Sequence, residues 1–407
     1  MNRAAERSGV LNTAAAASTP RAAALKFVLM IGVLSFFADF TYEGSRSILG
    51  PYLAMLSASA TTVGVVTGFG ELAGYGIRLV SGRVADLAQR FWPITIFGYV
   101  VQMLAVPALA LAGSWRTAAG LIILERIGKA IRNPPRDVML SHAAQQIGYG
   151  WAFGLHEALD QSGALVGPLA VAGILALKGE YRHAFAALLL PGLVCLLLVL
   201  AARWLYPQPE DLAGKVPGTT PRHGLPGVFW LYLAGAGLVA AGFADFPIIA
   251  YHFQKVSSVS RTWVPIAYAV AMAVSGTGSL AFGRLFDRFG IGLLIPLTLV
   301  SALFAPLVFL GGFWLAMAGS AIWGLGMGVH ESIIPAAVGP MVAQRNRASA
   351  YGLFTGGYGL CWFLGSALIG AAYDRSVTAA IGVCVVLQVA AVPVFLVVRR
   401  RYALLKA

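Results

Sequence analysis

The chain has 407 residues, of which 58% are hydrophobic and 11% charged, with a net charge of +13. A soluble domain carries about 25% charged residues, so this composition, with a mean hydropathy of +0.78, excludes a soluble enzyme on a single anchor and describes a polytopic membrane protein. The excess of base raises nucleic acid as a partner, and the placement of the charges argues against it.

Residues 1–24 are rich in Ala, carry Arg3, Arg7 and Arg21, and lack a sustained apolar core ending in a cleavage site. They read as a disordered cytoplasmic tail. About 20 apolar residues span a bilayer as a helix. That ruler predicts twelve spans, at 25–52, 60–82, 92–113, 116–134, 148–176, 182–205, 227–252, 262–283, 291–311, 313–336, 348–372 and 377–398. The stretch 206–226, rich in Pro, Gly and charge, reads as a cytoplasmic linker. It separates an N-terminal six-helix bundle, 25–205, from a C-terminal one, 227–398, and 399–407 is a basic cytoplasmic tail. With the N-terminus inside, 20 of the 29 Lys and Arg fall on the inner side, six fall outside, and Arg46, Arg78 and Arg126 lie within spans. That asymmetry predicts both termini cytoplasmic and accounts for the basic charge without nucleic acid.

The spans carry polar stripes. In segment 1, Asp39, Tyr42, Glu43 and Arg46 share one helical face. Segment 2 repeats the spacing with Glu71, Gly74, Tyr75 and Arg78. Segment 4 does so with Glu125, Gly128, Lys129 and Arg132, Arg126 lying beside them. Segment 5 offers His156, Asp160, Gly163 and Gly167, and segment 7 offers Asp245 and His252. Segments 3, 6, 9 and 12 have no ionisable residue at their centres. A charge at the bilayer centre costs about 2.5–3.5 kcal/mol on insertion scales, so these stripes must face protein or water. The expectation is that they line an aqueous path. Asp39, Glu71 and Asp245 are expected near a shared solute and proton site, with His156 and Asp160 assisting proton exchange. Structural alternatives stand beside each role: Asp39 as partner of an arginine such as Arg126, Glu125 with Arg126 as a structural pair, and His156 with Asp160 as polar packing. Cys195, Cys361 and Cys384 sit in apolar stretches, which predicts neither disulfides nor a metal cluster.

The two sets of six repeat. "FADF" at 37–40 returns at 243–246, "GRVAD" at 82–86 returns as "GRLFD" at 283–287, and Gly154-Leu155…Gly167 returns as Gly352-Leu353…Gly365. "GRLFDRFG" at 283–290 closely matches the cytoplasmic loop signature of the major facilitator superfamily, and "GRVADLAQR" at 82–90 keeps Gly82, Asp86 and Arg90 of it. Leu87 and Gln89 depart from the signature. "GALVGP" at 163–168 resembles that superfamily's helix 5 motif linked to antiporters, without its trailing Gly pair. "DFTYEGSRSILGPYL", "ERIGKAIRNPPRDV" and "GVHESIIPAAV" look like a group of bacterial permeases within it. The resemblance implies an all-α fold of twelve transmembrane helices in two parallel repeats, with helices 3, 6, 9 and 12 facing lipid, and a monomer in a bacterial inner membrane. Gly82, Asp86, Arg90, Gly283, Asp287 and Arg288 would gate, and Gly163, Gly167 and Pro168 would form a close-packing face.

The functional expectation is a secondary transporter working by alternating access, driven by the proton gradient without a cofactor, and exporting a small organic or cationic solute by antiport. The alternative is a proton symporter importing a nutrient or organic anion through Arg46, Arg78 and Arg126. An enzyme or ATP-driven pump is disfavoured, since there is no HExxH, no Cys/His nucleophile pair and no phosphate-cradling GxxxxGK[ST]. A sensor that no longer transports would be expected to lose the midplane acids or to add a soluble domain.

Overall fold

Proline and glycine decide where the long apolar runs bend, and hydrophobicity decides which faces turn inward. The computed structural model describes residues 20–88, 91–147, 149–209, 225–334, 337–338, 341–342 and 347–406. Among them there is no strand, and every predicted span is helical. The helices are α1 (Pro20–Met55), α2 (Ala60–Ala88), α3 (Phe91–Ala108), α4 (Trp115–Ile147), α5 (Tyr149–Lys178), α6 (Tyr181–Ala187), α7 (Leu189–Leu205), α8 (Gly227–Ala241), α9 (Phe246–Val256), α10 (Trp263–Phe289), α11 (Leu294–Ala302), α12 (Phe304–Leu310), α13 (Phe313–Gly328), α14 (Arg347–Arg375) and α15 (Val377–Lys406).

Three segments are broken where the residues require it. Segment 6 divides at Leu188, and Pro191 follows in the first turn of α7. Segment 9 divides at Leu303, with Pro306 in the first turn of α12. Segment 7 divides between Ala241 and Phe246, ahead of Pro247. The first FADF copy has Thr41 where the second has Pro247, and there α1 runs through unbroken, Thr41 donating its hydroxyl to the Phe37 carbonyl at 2.9 Å. A proline cannot complete the i to i−4 bond and disfavours helix in the residue before it. One repeated motif therefore gives a continuous helix in one half and a discontinuous one in the other.

Other boundaries move outward from the expected ones. Helix α4 continues to Ile147 through Pro134 and Pro135, beyond the predicted end at 134. Helix α1 begins inside the expected tail at Pro20, and α15 carries the basic 399–406 stretch as helix rather than as a separate tail. Cations at a helix C-terminus favour this extension.

The two halves, before and after 206–226, pack alike. Helix α5 runs parallel to α1, with Gly163 and Gly167 seated on the backbone of Phe36 and Phe40. Helix α14 runs parallel to α8, with Gly365 on the backbone of Ala241. Any side chain at these glycines would overlap the neighbouring carbonyl, so they set the helix spacing. Ser57 and Ser257 mark the same symmetry: each stands at positive φ, at 62° and 52°, just after the first helical segment of its half. Helices α2 and α14 are antiparallel across the seam, and α8 and α15 are antiparallel within the C-terminal half. This register puts Pro20 and Lys406 at the same end of the bundle.

Large apolar side chains cover the outside of α3, α7, α11, α12 and α15, among them Phe97, Leu190, Leu197, Leu299 and Val386. These are the segments free of central charge, and they are the lipid-facing surface of a membrane protein.

Candidate transport site

The charges of α1, α2 and α4 gather into one buried network. Arg46 reaches Asp245 at 3.3 Å, across the seam between the halves, and Glu71 at 3.4 Å. Glu71 also receives Arg126 at 2.8 Å, and Arg126 lies 3.6 Å from Glu125. The Tyr42 hydroxyl accepts from both Arg46 and Arg126. Asp245 is completed by the Trp362 indole N–H at 3.2 Å and the Ser366 hydroxyl at 3.3 Å, both from α14. The break before Pro247 makes this possible. Asp245 is the residue before α9, yet its side chain does not cap that helix and turns to Arg46 instead. A second bond crosses the seam one turn earlier on α1, where the Tyr268 hydroxyl of α10 donates to Glu43.

Asp39 belongs to a separate cluster inside the N-terminal half. Arg132 at 3.6 Å and Lys129 at 3.9 Å hold it. Arg132, fully buried, also donates to the Tyr99 hydroxyl at 3.0 Å and to the Gln102 amide oxygen. Gln102 in turn donates to Glu125 at 2.8 Å, linking the two clusters. His156 turns to the Ser35 hydroxyl at 2.8 Å rather than to Asp160, and Arg136 donates to the same hydroxyl. Asp160 Oδ1 is buried without a hydrogen-bond partner.

This arrangement corrects the expected reason for the charges. Most of them do not line water: Asp39, Glu43, Arg46, Glu125, Arg126, Arg132 and Asp245 are all buried. They are tolerated by pairing. Removing an ion from water costs several kcal/mol. Opposite charges about 3.4 Å apart recover on the order of 4–5 kcal/mol at an effective dielectric near 20. Each arginine here touches more than one acceptor, so the balance closes. The structure brings Glu71 and Asp245 together through Arg46 and leaves Asp39 apart from them, with Lys129 and Arg132 as its partners in place of Arg126.

Water-accessible carboxylates appear elsewhere. A cavity of about 580 Å³ opens between α5 and α10, lined by Glu157, Gln161 and Ser162 from α5, Met272 and Thr277 from α10, and Glu331 just past α13. Gln161 donates to Glu157 at 3.0 Å. No Lys or Arg lines this cavity among the described residues. It lies toward the end that holds the termini, since α5 begins and α10 ends there. At the opposite end the halves are fastened: Asp374 of α14 accepts from the Ala60 amide at 3.0 Å and from the Thr61 amide at 2.8 Å, at the start of α2. Gly50 there lies so close to Pro247 and Tyr251 of the other half that a Cβ would clash.

Glu157 was not singled out as a site residue by the spacing of the polar stripes, and neither was His330. His330 sits in a π-helical turn, Val329–Ile333, with Phe243, Trp362 and Tyr358 around it and a hydrogen bond to the Tyr358 hydroxyl. Such a turn is often a mark of a functional position. Of the expected gating residues, Arg288 is exposed at the end of α10, and Pro168 is buried beside Gly167. Arg90 lies outside the described residues, as do the side chains of Arg78, Asp86 and Asp287 and the surroundings of Gly82 and Gly283.

A family model for the Major Facilitator Superfamily matches residues 31–366. The chain belongs to the major facilitator superfamily. An uncharacterized protein of Mycobacterium tuberculosis is 40% identical over 390 residues, covering 94% of this chain and 95% of that one. The crystal structure of the nucleoside transporter NupG shares the fold with a TM-score of 0.70 at 17% identity, over 92% of this chain and 98% of that one. A bacterial homologue of the human lysosomal transporter Spinster, solved inward-facing and unoccupied, superimposes with a TM-score of 0.66 at 15% identity, over 94% and 96% of the two chains. This superfamily member is accordingly a multi-pass membrane protein of the secondary-transporter class and not an enzyme. Its broken segment at Asp245 lies at the seam between the two halves, where Asp245 meets Arg46.

Proposed function

We propose that the protein exports a small organic cation in exchange for protons, by alternating access between residues 25–205 and 227–398. The observation that carries this reading is the cavity between α5 and α10, with Glu157 and Glu331 on its walls, apolar side chains around them and no Lys or Arg among the described residues. A cation with an apolar body matches such a lining. A carboxylate can hold the cation or a proton and not both, which is the exchange that antiport requires. The importer of organic anions is less well supported, because Arg46 and Arg126 already have Glu71, Glu125 and Asp245 as partners.

The positive-inside asymmetry supports cytoplasmic termini. The cavity then faces the cytoplasm and the end fastened by Asp374 faces outward, as loading for export requires. The protein resides, on this reading, in the plasma membrane as a monomer, with the gradient as its energy source. Opening the far end separates Arg46 from Asp245 while Glu71, in the same half as Arg46, stays with it.

The test is a liposome assay with an internal pH dye and a panel of cationic, neutral and anionic solutes. Proton movement against a cationic solute, needing a higher solute concentration in Glu157→Gln, is the expected result. Proton movement in the same direction as an anionic solute would overturn the proposal in favour of symport.

A further inference from the structure

Positive charge is scarce on the side of the bundle away from the termini. Six Lys and Arg belong there by sequence: Arg116, Lys178, Arg182, Lys255, Arg261 and Arg375. Three of the six converge on the seam. A pocket of about 470 Å³ is lined by the turn after α1, with Ser57 and Ser59, and by Gln254, Lys255 and Arg261 from the other half. An adjoining pocket of about 330 Å³ shares Arg261 and adds Arg182 and Glu180.

These bases are not neutralised as those of the central network are. Lys255 Nζ faces the rings of Tyr251 and Tyr373 at 5.6 and 5.7 Å, and Arg261 lies over the ring of Tyr181 at 5.7 Å. Arg182 donates to the Ala112 carbonyl at 3.4 Å. Among the described residues none of the three forms an ion pair with a carboxylate. Of the nearby acids, Glu180 stays on the wall of the adjoining pocket, 3.4 Å from His183, and Asp374 is taken up by the start of α2. The Tyr181 hydroxyl donates to Gln254 at 2.9 Å, so the wall of the pocket is itself a contact between halves.

We propose that this pocket binds a phosphate-type oxyanion, either free or as the headgroup of a lipid, through Lys255 and Arg261 with Arg182 in support. Uncompensated bases beside hydroxyl and amide donors form a favourable setting for such an anion. Because each half supplies part of the wall, the pocket exists only while this end is closed. An anion bound there holds the seam shut and biases the protein toward the state open at the other end.

The experiment is thermal unfolding of the purified full-length protein in detergent, titrated with sodium phosphate against sodium chloride at matched ionic strength. Phosphate is expected to raise the melting temperature with saturation. In Lys255→Ala and in Arg261→Ala its half-saturating concentration should rise by about tenfold or more, the loss of one charge-assisted hydrogen bond. Arg203→Ala, at the other end, should leave the titration unchanged. All three side chains are exposed, so these variants keep the fold. A parallel arm uses nanodiscs. Protection by phosphatidylglycerol without added phosphate, lost in the Lys255→Ala/Arg261→Ala double variant, identifies a headgroup. Protection by phosphate in phosphatidylcholine nanodiscs, lost in the same variant, identifies the free anion. Phosphate no better than chloride with no effect of phosphatidylglycerol, or equal protection of the variants, overturns the proposal. None of these outcomes depends on the identity of the transported solute.

Discussion

Arg46 and Asp245 stand 199 residues apart in the chain and meet at 3.3 Å across the seam between the halves. Both are buried, and Arg46 divides its charge between Asp245 and Glu71. Replacing Arg46 by Gln leaves Asp245 without a cation in a region with little water, while Glu71 keeps Arg126. The expected loss is about 3–5 kcal/mol, the usual cost of breaking a buried pair from one side. Arg46→Gln combined with Asp245→Asn should recover part of that loss, because the pair across the seam is then neutral on both sides, Glu71 keeps Arg126, and Trp362 and Ser366 still find an acceptor. Thermal unfolding of the four proteins in a double-mutant cycle measures the coupling. Strictly additive effects would show that the two side chains do not depend on each other.

The charge network was only partly legible in the sequence. Helical spacing put Asp39, Tyr42, Glu43 and Arg46 on one face, and the structure keeps that face intact. Spacing within a helix says nothing about which neighbour meets which turn. It could not show that Asp39 goes to Arg132 while Glu71, seven turns of chain and a whole helix away, shares Arg46 with the other half. The FADF repeat shows the same limit from the other direction. Its two copies suggested equivalent acids, and Pro247 in place of Thr41 gave one of them a helix break and a partner across the seam. Glu157 lies inside the predicted fifth span but outside the stripe of His156, Asp160, Gly163 and Gly167, and its place on the cavity wall depends on how α5 and α10 pack. The lipid-facing segments, by contrast, are those the family resemblance implies, and the absence of central charge in segments 3, 6, 9 and 12 agrees with it, because the bilayer tests every residue on such a surface.

The cavity acids should separate binding from conformational change. Glu157→Gln and Glu331→Gln keep the shape of the lining and remove one negative charge each. An apparent KM for a cationic solute about tenfold higher in either variant is expected, in line with the loss of a charge-assisted contact. Transport of a neutral analogue of the same shape, where one is accepted, should change little. Solute-flux measurements over a concentration series check this, and an unchanged KM in both variants would move the cation site away from this cavity.

Ser57 and Ser257 carry a backbone test. Each ends a helix in the left-handed region, where a side chain with a Cβ is disfavoured by about 1–2 kcal/mol. Glycine adopts it freely but has more to lose on folding, so Ser→Gly at either position should lie between neutral and about 1 kcal/mol stabilising. A β-branched Val has no such freedom and should destabilise by about 1–2 kcal/mol at both sites. Melting temperatures of the four single variants give the comparison. A tolerant response at one position and a severe one at the other would break the equivalence of the two helix ends.

Asp374 joins α14 to the first turn of α2, accepting from two backbone amides and from the Thr61 hydroxyl. It acts there as an N-cap supplied from the opposite half, with its charge at the positive end of the α2 dipole. Rocking that end open must break all three bonds at once. Asp374→Asn keeps the size and removes the charge, and it should weaken the closed state by about 1–2 kcal/mol. A bias near 1.4 kcal/mol shifts the closed-to-open ratio about tenfold. Ile248, fully buried on α9 beside Gly64 of α2, reports on this seam. With Cys195, Cys361 and Cys384 replaced, Ile248→Cys should react with a membrane-impermeant maleimide about tenfold faster when Asp374 is Asn, as the ratio requires. A lowered melting temperature without faster labelling would make Asp374 a cap that stabilises α2 alone. Faster labelling at an unchanged melting temperature would make it a gate whose bonds matter only to the choice between the two open ends.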